Sequence, residues 1–445
     1  MEKLNKKLLY GFAGLNLLII LVGWYMGSHK HFVWNLADLT LVVGRLTGLL
    51  AVFFVLMQFV LIGREVWIEK LFGLDRLAKV HRLNGYLSMG LIVVHLVFLT
   101  ISYAVSAKVP VWQQSMNFFQ NYPDVGQAMF SFVLFIVVVV SSITIARKHY
   151  KYETWYFVHL ITYLAVLLAW GHQLKNGGDF LFSNKWFINY WYLMYGFVLV
   201  NFAWYRFVRP LRNFAKYSFV VDQVVEETAD SWSVYIKASK GGLDRFGIAP
   251  GQFMSVRFLQ KGFWYQSHPF SLSMVPKDNC LRVTIKKLGD YTAKIAQLTK
   301  GTKVMVEGPF GLFKAQKGDK NKYLFVAGGV GITPIRALIE QVAVKNDVIL
   351  LYCNRTLKEA ILRKELGELS EQFHFTIYDI LSAEPDFQGE KGYLDQDKVA
   401  RLVKDVKDRQ VYMCGPGPMM EIMKKTLVDD FALNKSQIHF DIFSL

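Results

Sequence analysis

Four histidines stand in two long apolar stretches of this chain, His81 and His95 in one, His159 and His172 in the other. The first pair is fourteen residues apart and the second thirteen. On a helix rising about 1.5 Å per residue, either gap spans roughly 20 Å. One further apolar stretch separates the two, so the helices that carry the pairs run in the same direction. His81 then lies level with His159, and His95 with His172. Two imidazoles facing one another suit the axial positions of a haem iron, and an iron with both positions filled passes electrons without an open site for oxygen. Ionisable groups inside a membrane are rare and functional as a rule. The spacing therefore predicts two b-type haem sites, one above the other. Thirteen residues fall short of returning to the same helix face by roughly 140°. Either the second helix bends, with Gly171 beside His172 as the permissive residue, or its two ligands meet haems set at different angles.

The elements that must hold these histidines are legible as apolar runs. Six candidate spans lie near Lys7–Met26, Leu39–Ile62, Leu83–Val105, Ala128–Ile145, Thr154–Leu174 and Trp186–Val208, each near the roughly 20 residues a bilayer helix needs. Lysine and arginine concentrate at the N-terminus, in the Arg64–Arg82 connection, in the Arg147–Lys151 loop and at Arg206–Lys216. The connections near Ser28–Asp38, Lys108–Gly126 and Lys175–Lys185 are poorer in them. The positive-inside rule puts the N-terminus and everything after the sixth span in the cytosol of a multi-pass cell-membrane protein. The net charge of +16 is then the basic rim of a membrane domain, and no nucleic-acid partner is expected. Arg45 falls toward the outer end of the second span. It reads either as a partner for a haem propionate or an oxygen anion, or as a side chain snorkelling to the interface. His29 and His31 read as a solvated loop.

Three cysteines, Cys280, Cys353 and Cys414, all lie in the polar second half, with no CxxC or zinc spacing. They read as reduced cytosolic thiols. From Arg209 the pattern changes to short alternating segments at Tyr217–Asp222, Ser233–Ala238, Phe253–Phe258 and Leu281–Lys286, which predict an antiparallel β-barrel. From Lys322 strands alternate with helical stretches, the pattern of an open α/β sheet. The domain boundaries expected are 1–208 for the di-haem membrane domain, 209–318 for the barrel and 319–445 for the α/β domain.

Five motifs in this half bear on chemistry. His268-Pro-Phe-Ser-Leu-Ser273 follows Pro250-Gly-Gln-Phe253. Gly289-Asp-Tyr-Thr292 opens a helical stretch, and a glycine turn there offers N–H groups to an anion. Gly328, Gly329 and Gly331 form a loop after a strand, with Thr333 expected at the helix N-cap and Pro334 at its first position. Arg355 ends the next strand, where a 2′-phosphate favours arginine and hence NADPH over NADH. Cys414-Gly-Pro416 closes a later strand.

In this order, with the histidine ladder before them, the motifs resemble those of the NADPH oxidase and ferric reductase superfamily, most closely its compact bacterial members. The resemblance covers nearly the whole chain. It implies a six-span α-helical membrane bundle followed by a ferredoxin–NADP reductase-like module, made of an FAD-binding barrel and an NAD(P)H-binding α/β domain. It implies that His268, Pro269, Phe270, Ser271 and Ser273 line FAD, with Phe270 at the isoalloxazine ring and Ser271 near N5. Histidine stands at 268 where many soluble relatives have arginine. Gly289, Asp290, Tyr291 and Thr292 would hold the FAD pyrophosphate. Cys414, with Gly415 and Pro416, would sit at the nicotinamide and position its C4, and a C-terminal aromatic, Phe443, would cover the flavin, leaving Phe440 to the core. The reaction implied is electron transfer from NADPH through FAD and two haems to oxygen outside, giving superoxide. Ferric or cupric reduction, or delivery to a protein partner, are the alternatives. Partners beyond the bilayer and this acceptor are not required. FAD must stand between donor and haems because nicotinamide gives a hydride, a two-electron parcel, while haem takes one electron at a time.

Overall fold

The computed structural model describes residues 2–28, 32–143, 152–177, 185–315 and 322–442; His29, His31, the basic loop at 147–151 and Phe443 lie outside them. The chain divides into two units, Met1–Arg206 and Phe207–Leu445.

The first unit is helical. Its elements are α1 (Glu2–Ser28), α2 (Leu36–Ile62), α3 (Val66–Phe72), α4 (Leu74–Ala107), α5 (Val111–Asn121), α6 (Val125–Ser142), α7 (Tyr152–Asn176) and α8 (Lys185–Ala203). Asn35 starts α2 by accepting a hydrogen bond from the Asp38 N–H at 2.8 Å, satisfying one of the free donors of the first turn. Among the described residues, five helices are long and apolar enough to cross a membrane: Leu4–Ser28, Leu36–Ile62, Leu74–Ala107, Val125–Ser142 and Thr154–Asn176. The sixth expected span does not meet that criterion. Its residues form α8, but Lys185, two asparagines and a run of tryptophan and tyrosine dilute its hydropathy. It is nonetheless packed: Phe187, Trp191, Met194, Tyr195 and Val198, which share one helix face, enter the core that α2 builds with α1. The connection expected at 108–126 contains a further helix, α5, which buries Gln114 and Phe118.

The second unit begins with α9 (Arg209–Tyr217). Two three-stranded sheets follow. One is ordered β1 (Phe219–Thr228), β2 (Ser231–Ala238), β5 (Cys280–Lys286); the other is β4 (His268–Ser271), β3 (Phe253–Phe258), β6 (Val304–Phe310). All pairs are antiparallel. Bridges Val220–Lys303 and Leu272–Val283 join the two sheets into a barrel. Inward residues such as Val221, Val234, Met254, Val256 and Val283 are fully buried, as period-two alternation requires.

The rest is an α/β sheet: β7 (Lys322–Gly328), α10 (Ile332–Val342), β8 (Asp347–Asn354), α11 (Arg363–Phe373), β9 (Thr376–Leu381), β10 (Glu390–Lys391), α12 (Gln396–Leu402), β11 (Gln410–Gly415), α13 (Gly417–Lys425) and β12 (Ile438–Ile442). The order is β10-β9-β8-β7-β11-β12, and every pair is parallel. Strand order reverses between β7 and β11, so the crevice at their carboxyl ends is the topological switch point where such sheets bind ligands. Both loops that open there carry the glycines noted above.

Candidate functional site

In the first unit α4 and α7 bring the four histidines together in two pairs. The His81 and His159 ring centroids lie 6.0 Å apart, and those of His95 and His172 lie 6.4 Å apart. Two metal–imidazole bonds of about 2.0 Å, plus the ring radii beyond them, separate facing centroids by about 6 Å. Each pair is therefore spaced to hold one metal ion. The ring planes cross at 58° in the first pair and 44° in the second. α7 is continuous through Gly171, so the thirteen-residue gap is met without a break. The glycine has a different use: a side chain there would strike the Asp124 carboxylate, whose Oδ2 lies 2.4 Å from the ideal Cβ position. Asp124 is also paired with Lys175 at 2.8 Å. Sequence reasoning missed Asp124; its left-handed backbone, φ 60°, gives no pattern to find.

Two of the histidines have partners at Nδ1. His95 Nδ1 is 2.8 Å from the Gly44 carbonyl oxygen. A carbonyl only accepts, so Nδ1 carries the proton and donates, leaving the Nε2 lone pair for a ligand. His159 Nδ1 lies 3.3 Å from Ser142 Oγ, whose own proton goes to the Val138 carbonyl; the Trp155 indole N–H donates to the same oxygen at 3.1 Å. Among the described residues, the buried Nδ1 of His81 and of His172 makes no well-formed hydrogen bond. Gly48 makes room for the outer ring, since a Cβ there would lie 2.4 Å from His95 Nδ1. Arg45, next to Gly44 on α2, is partly buried at the level of this second pair.

In the second unit, β4 and the turn before residue 292 assemble an aromatic group. The His268 ring packs on Tyr291 at 4.0 Å and on Phe270 at 6.3 Å, and His268 Nε2 donates to Gln266 Oε1 at 2.7 Å. Pro269 is exposed. Among the described residues, the buried Ser271 Oγ and Tyr291 hydroxyl make no well-formed hydrogen bond with a partner. Such orphaned groups are rare unless a ligand completes them. Gly289 faces open space and Asp290 is exposed. Thr292 Oγ1 accepts from the Leu288 and Gly289 N–H groups at 2.8 and 3.1 Å. The helical stretch expected after this turn is a six-residue 3₁₀ helix, Thr292–Gln297, too short to aim a dipole. Ser273 differs from Ser271. Its hydroxyl is fully buried and accepts from Arg282 and Thr284.

The glycine loop after β7 meets the end of β11. A Cβ at Gly328 would strike Pro416 at 2.8 Å, one at Gly331 the Cys414 carbonyl at 2.2 Å, and one at Gly415 Met419 at 2.5 Å. These glycines let two loop backbones touch. Gly329 has open space and φ +54°, a conformation glycine adopts without cost. Residues 329–331 form a 3₁₀ turn that runs straight into α10, with Gly331 as its N-cap. Thr333 and Pro334 are therefore inside the first turn rather than at the cap and first position; Thr333 Oγ1 bonds back to the Val330 carbonyl at 3.0 Å. The Cys414 thiol is fully buried. Burial, and then the Asp441 charge, push it well above its ordinary pKa, so it is a neutral thiol, unsuited to nucleophilic attack. Arg355 is exposed just past β8, and Asn354 beside it is half-buried. Phe440, expected in the core, is 40% exposed. β12 is an edge strand, and the ring lies against Lys424 Nζ at 4.6 Å instead.

Three family models match the chain in succession: a ferric reductase like transmembrane component over residues 47–170, an FAD-binding domain over 225–314 and an oxidoreductase NAD-binding domain over 325–425. Among curated proteins, the chain is 28% identical over 232 residues to the ferredoxin reductase component of 3-ketosteroid-9-alpha-monooxygenase from Rhodococcus rhodochrous, covering 50% of this chain and 64% of that protein. It is 25% identical over 246 residues to a flavohemoprotein of Halalkalibacterium halodurans, covering 51% of this chain and 59% of that protein. The chain thus spans less than two thirds of these relatives' length. Among solved structures, the FAD/NAD-binding domain of a nitric oxide dioxygenase from Vibrio cholerae covers 51% of this chain and 98% of its own, at 24% identity and a TM-score of 0.47. A ferric-reductase-like membrane component, an FAD domain and an NAD domain in that order give this chain a ferric reductase/NADPH oxidase-like architecture.

Proposed function

We propose that the chain carries electrons from cytosolic NADPH through FAD and two b-type haems to an acceptor across the membrane, with molecular oxygen, giving superoxide, as the first acceptor. The observation that carries this reading is the stacking of two imidazole pairs at 6.0 and 6.4 Å. Haem supplies one-electron transfer when bound between such pairs. His81 with His159, and His95 with His172, are its protein ligands in this reading. Gly44 and Ser142 orient two of the four rings. Apolar helix faces exclude water from the path. In the second unit, Ser271 and the Tyr291 hydroxyl offer free polar atoms to FAD. The buried, neutral Cys414 offers the nicotinamide a soft contact that does not react with it. Arg355 offers the 2′-phosphate a guanidinium. The lysine-rich connections support a cytosolic position for this unit.

A ferric ion is the second reading, favoured by the ferric-reductase-like model over residues 47–170. Neither reading needs another polypeptide. Purified protein given NADPH is assayed for superoxide in air and for ferric-chelate reduction without oxygen. Superoxide in air supports the first reading, and ferric reduction alone supports the second. Activity only after adding a protein acceptor overturns both.

A further inference from the structure

Ser273, just past the strand His268–Ser271, is held by a cluster of two buried arginines and two partly exposed glutamates that neither cofactor explains. Arg282, on β5, donates Nε to Ser273 Oγ at 3.0 Å and Nη2 to the Ser273 carbonyl at 2.5 Å. The same guanidinium grips Glu365 of α11 with both Nη atoms, at 2.8 and 3.2 Å. Glu365 is shared with Arg336 of α10, which also holds Glu340. Glu340 in turn accepts from the Val275 N–H at 2.7 Å. Arg282 and Arg336 are 3% and 4% exposed. Two arginines and two glutamates balance in charge, yet they come from both lobes: Arg282, Ser273 and Val275 from the barrel, Arg336, Glu340 and Glu365 from the α/β domain.

A largely buried ion cluster is a poor source of stability, because desolvation offsets much of its attraction. Apolar side chains would hold the two lobes together as well. What the cluster supplies is register. At one end it grips residues 273 and 275, just past the strand His268–Ser271. At the other it grips α10 at Arg336 and Glu340, five and nine residues after the end of the glycine turn 329–331, and that turn lies beside β5. A planar guanidinium with several fixed donors sets angles as well as distances.

We infer that Arg282, Glu365, Arg336 and Glu340 are positioning residues that lock the barrel to the nucleotide domain at the one separation where nicotinamide C4 meets the flavin. This rests on the reading of the two lobes as flavin and nicotinamide sites. Hydride transfer needs its reacting atoms about 3–3.5 Å apart, and a misplacement of about 1 Å costs on the order of 100-fold. None of the four residues has to touch either cofactor to have that effect.

The test uses the full-length protein in detergent, with Glu365→Gln and Arg282→Lys. Three quantities are measured: FAD content; the long-wavelength charge-transfer absorbance of reduced protein mixed with NADP⁺; and the single-turnover rate of flavin reduction at saturating NADPH. Glu365→Gln is expected to keep its FAD, lose most of the charge-transfer absorbance, and slow flavin reduction by about 10- to 100-fold. Arg282→Lys, which keeps the charge but not the fork, falls between it and the parent. A normal rate and normal charge-transfer absorbance in Glu365→Gln overturn the proposal, even if its melting temperature falls. So does loss of FAD in both variants, which would make the cluster a flavin-holding device. If the parent's flavin is not reduced by NADPH at all, the underlying reading fails instead.

Discussion

Gly48→Ala tests the outer histidine pair without touching a ligand. The added Cβ would lie 2.4 Å from His95 Nδ1 and 2.6 Å from Cε1. Ordinary contact begins near 3.4 Å, so the ring must retreat by about 1 Å. Its hydrogen bond to the Gly44 carbonyl, now 2.8 Å, would stretch past about 3.6 Å and cease to be one. The direct loss is about 0.5–1.5 kcal/mol. The larger effect is on orientation, since removing the group that orients a ligating histidine costs about 10- to 100-fold in metal affinity. α2 cannot easily back away. Asn84 on α4 donates to its Phe54 carbonyl at 2.7 Å, and Leu99 fills the space over Gly44. The assay is haem per polypeptide by pyridine haemochrome, with a redox titration of the bound haem. The variant should fall from two haems toward one, or keep two with the outer one shifted in potential. Gly14→Ala is the control, since nothing lies within 4 Å of its Cβ. Two haems with unchanged potentials in Gly48→Ala would refute the reasoning.

Four further outcomes are expected. Arg355→Ala weakens NADPH by about 1.5–3 kcal/mol, the range of a hydrogen bond to a charged group, and leaves NADH nearly unchanged; dinucleotide titrations compare the two, and equal losses would show that Arg355 does not read the 2′-phosphate. Gly331→Ala, whose Cβ would lie 2.2 Å from the Cys414 carbonyl, abolishes dinucleotide binding, while FAD content stays at the parent level. Cys414 resists iodoacetamide in the folded protein at pH 8, because its thiol is buried and pushed well above the ordinary range by burial and then by Asp441; mass spectrometry finds it labelled only on unfolding. Phe443→Ala prolongs nicotinamide binding, whereas Phe440→Ala, at an exposed ring, leaves nicotinamide binding unchanged and lowers stability by less than the roughly 3–5 kcal/mol of a buried phenylalanine.

The parts of this molecule that repeat with a period were readable in the sequence. Fourteen residues from His81 to His95 fix two levels on α4, and apolar length marks the spans around them. Alternation marks β2, β3 and β5, and the glycine loop marks the carboxyl end of β7. What depends on a partner distant in sequence was not readable. Gly48 and Gly44 look like any helix glycines until α4 is packed against α2. Gly171 reads as a bend, but it is the space Asp124 occupies. Ser273 shares a motif with Ser271, and only the fold shows Arg282 taking its hydroxyl. α8 is less hydropathic than the other expected spans because its aromatic run is apolar to the eye yet interrupted by Lys185 and two asparagines. Phe440 was misplaced because alternation gives a strand but not which face of an edge strand is covered.

On the proposed function, electrons cross the bilayer through both histidine pairs. The direct measurement is made in sealed vesicles, with NADPH supplied only on the side of the reductase unit. A membrane-impermeant one-electron acceptor is sealed on the other side. Parent protein should reduce the trapped acceptor. His95→Ala and His172→Ala should stop that reduction while NADPH still reduces the flavin at the parent rate. Undiminished reduction of the trapped acceptor in both variants would contradict the account.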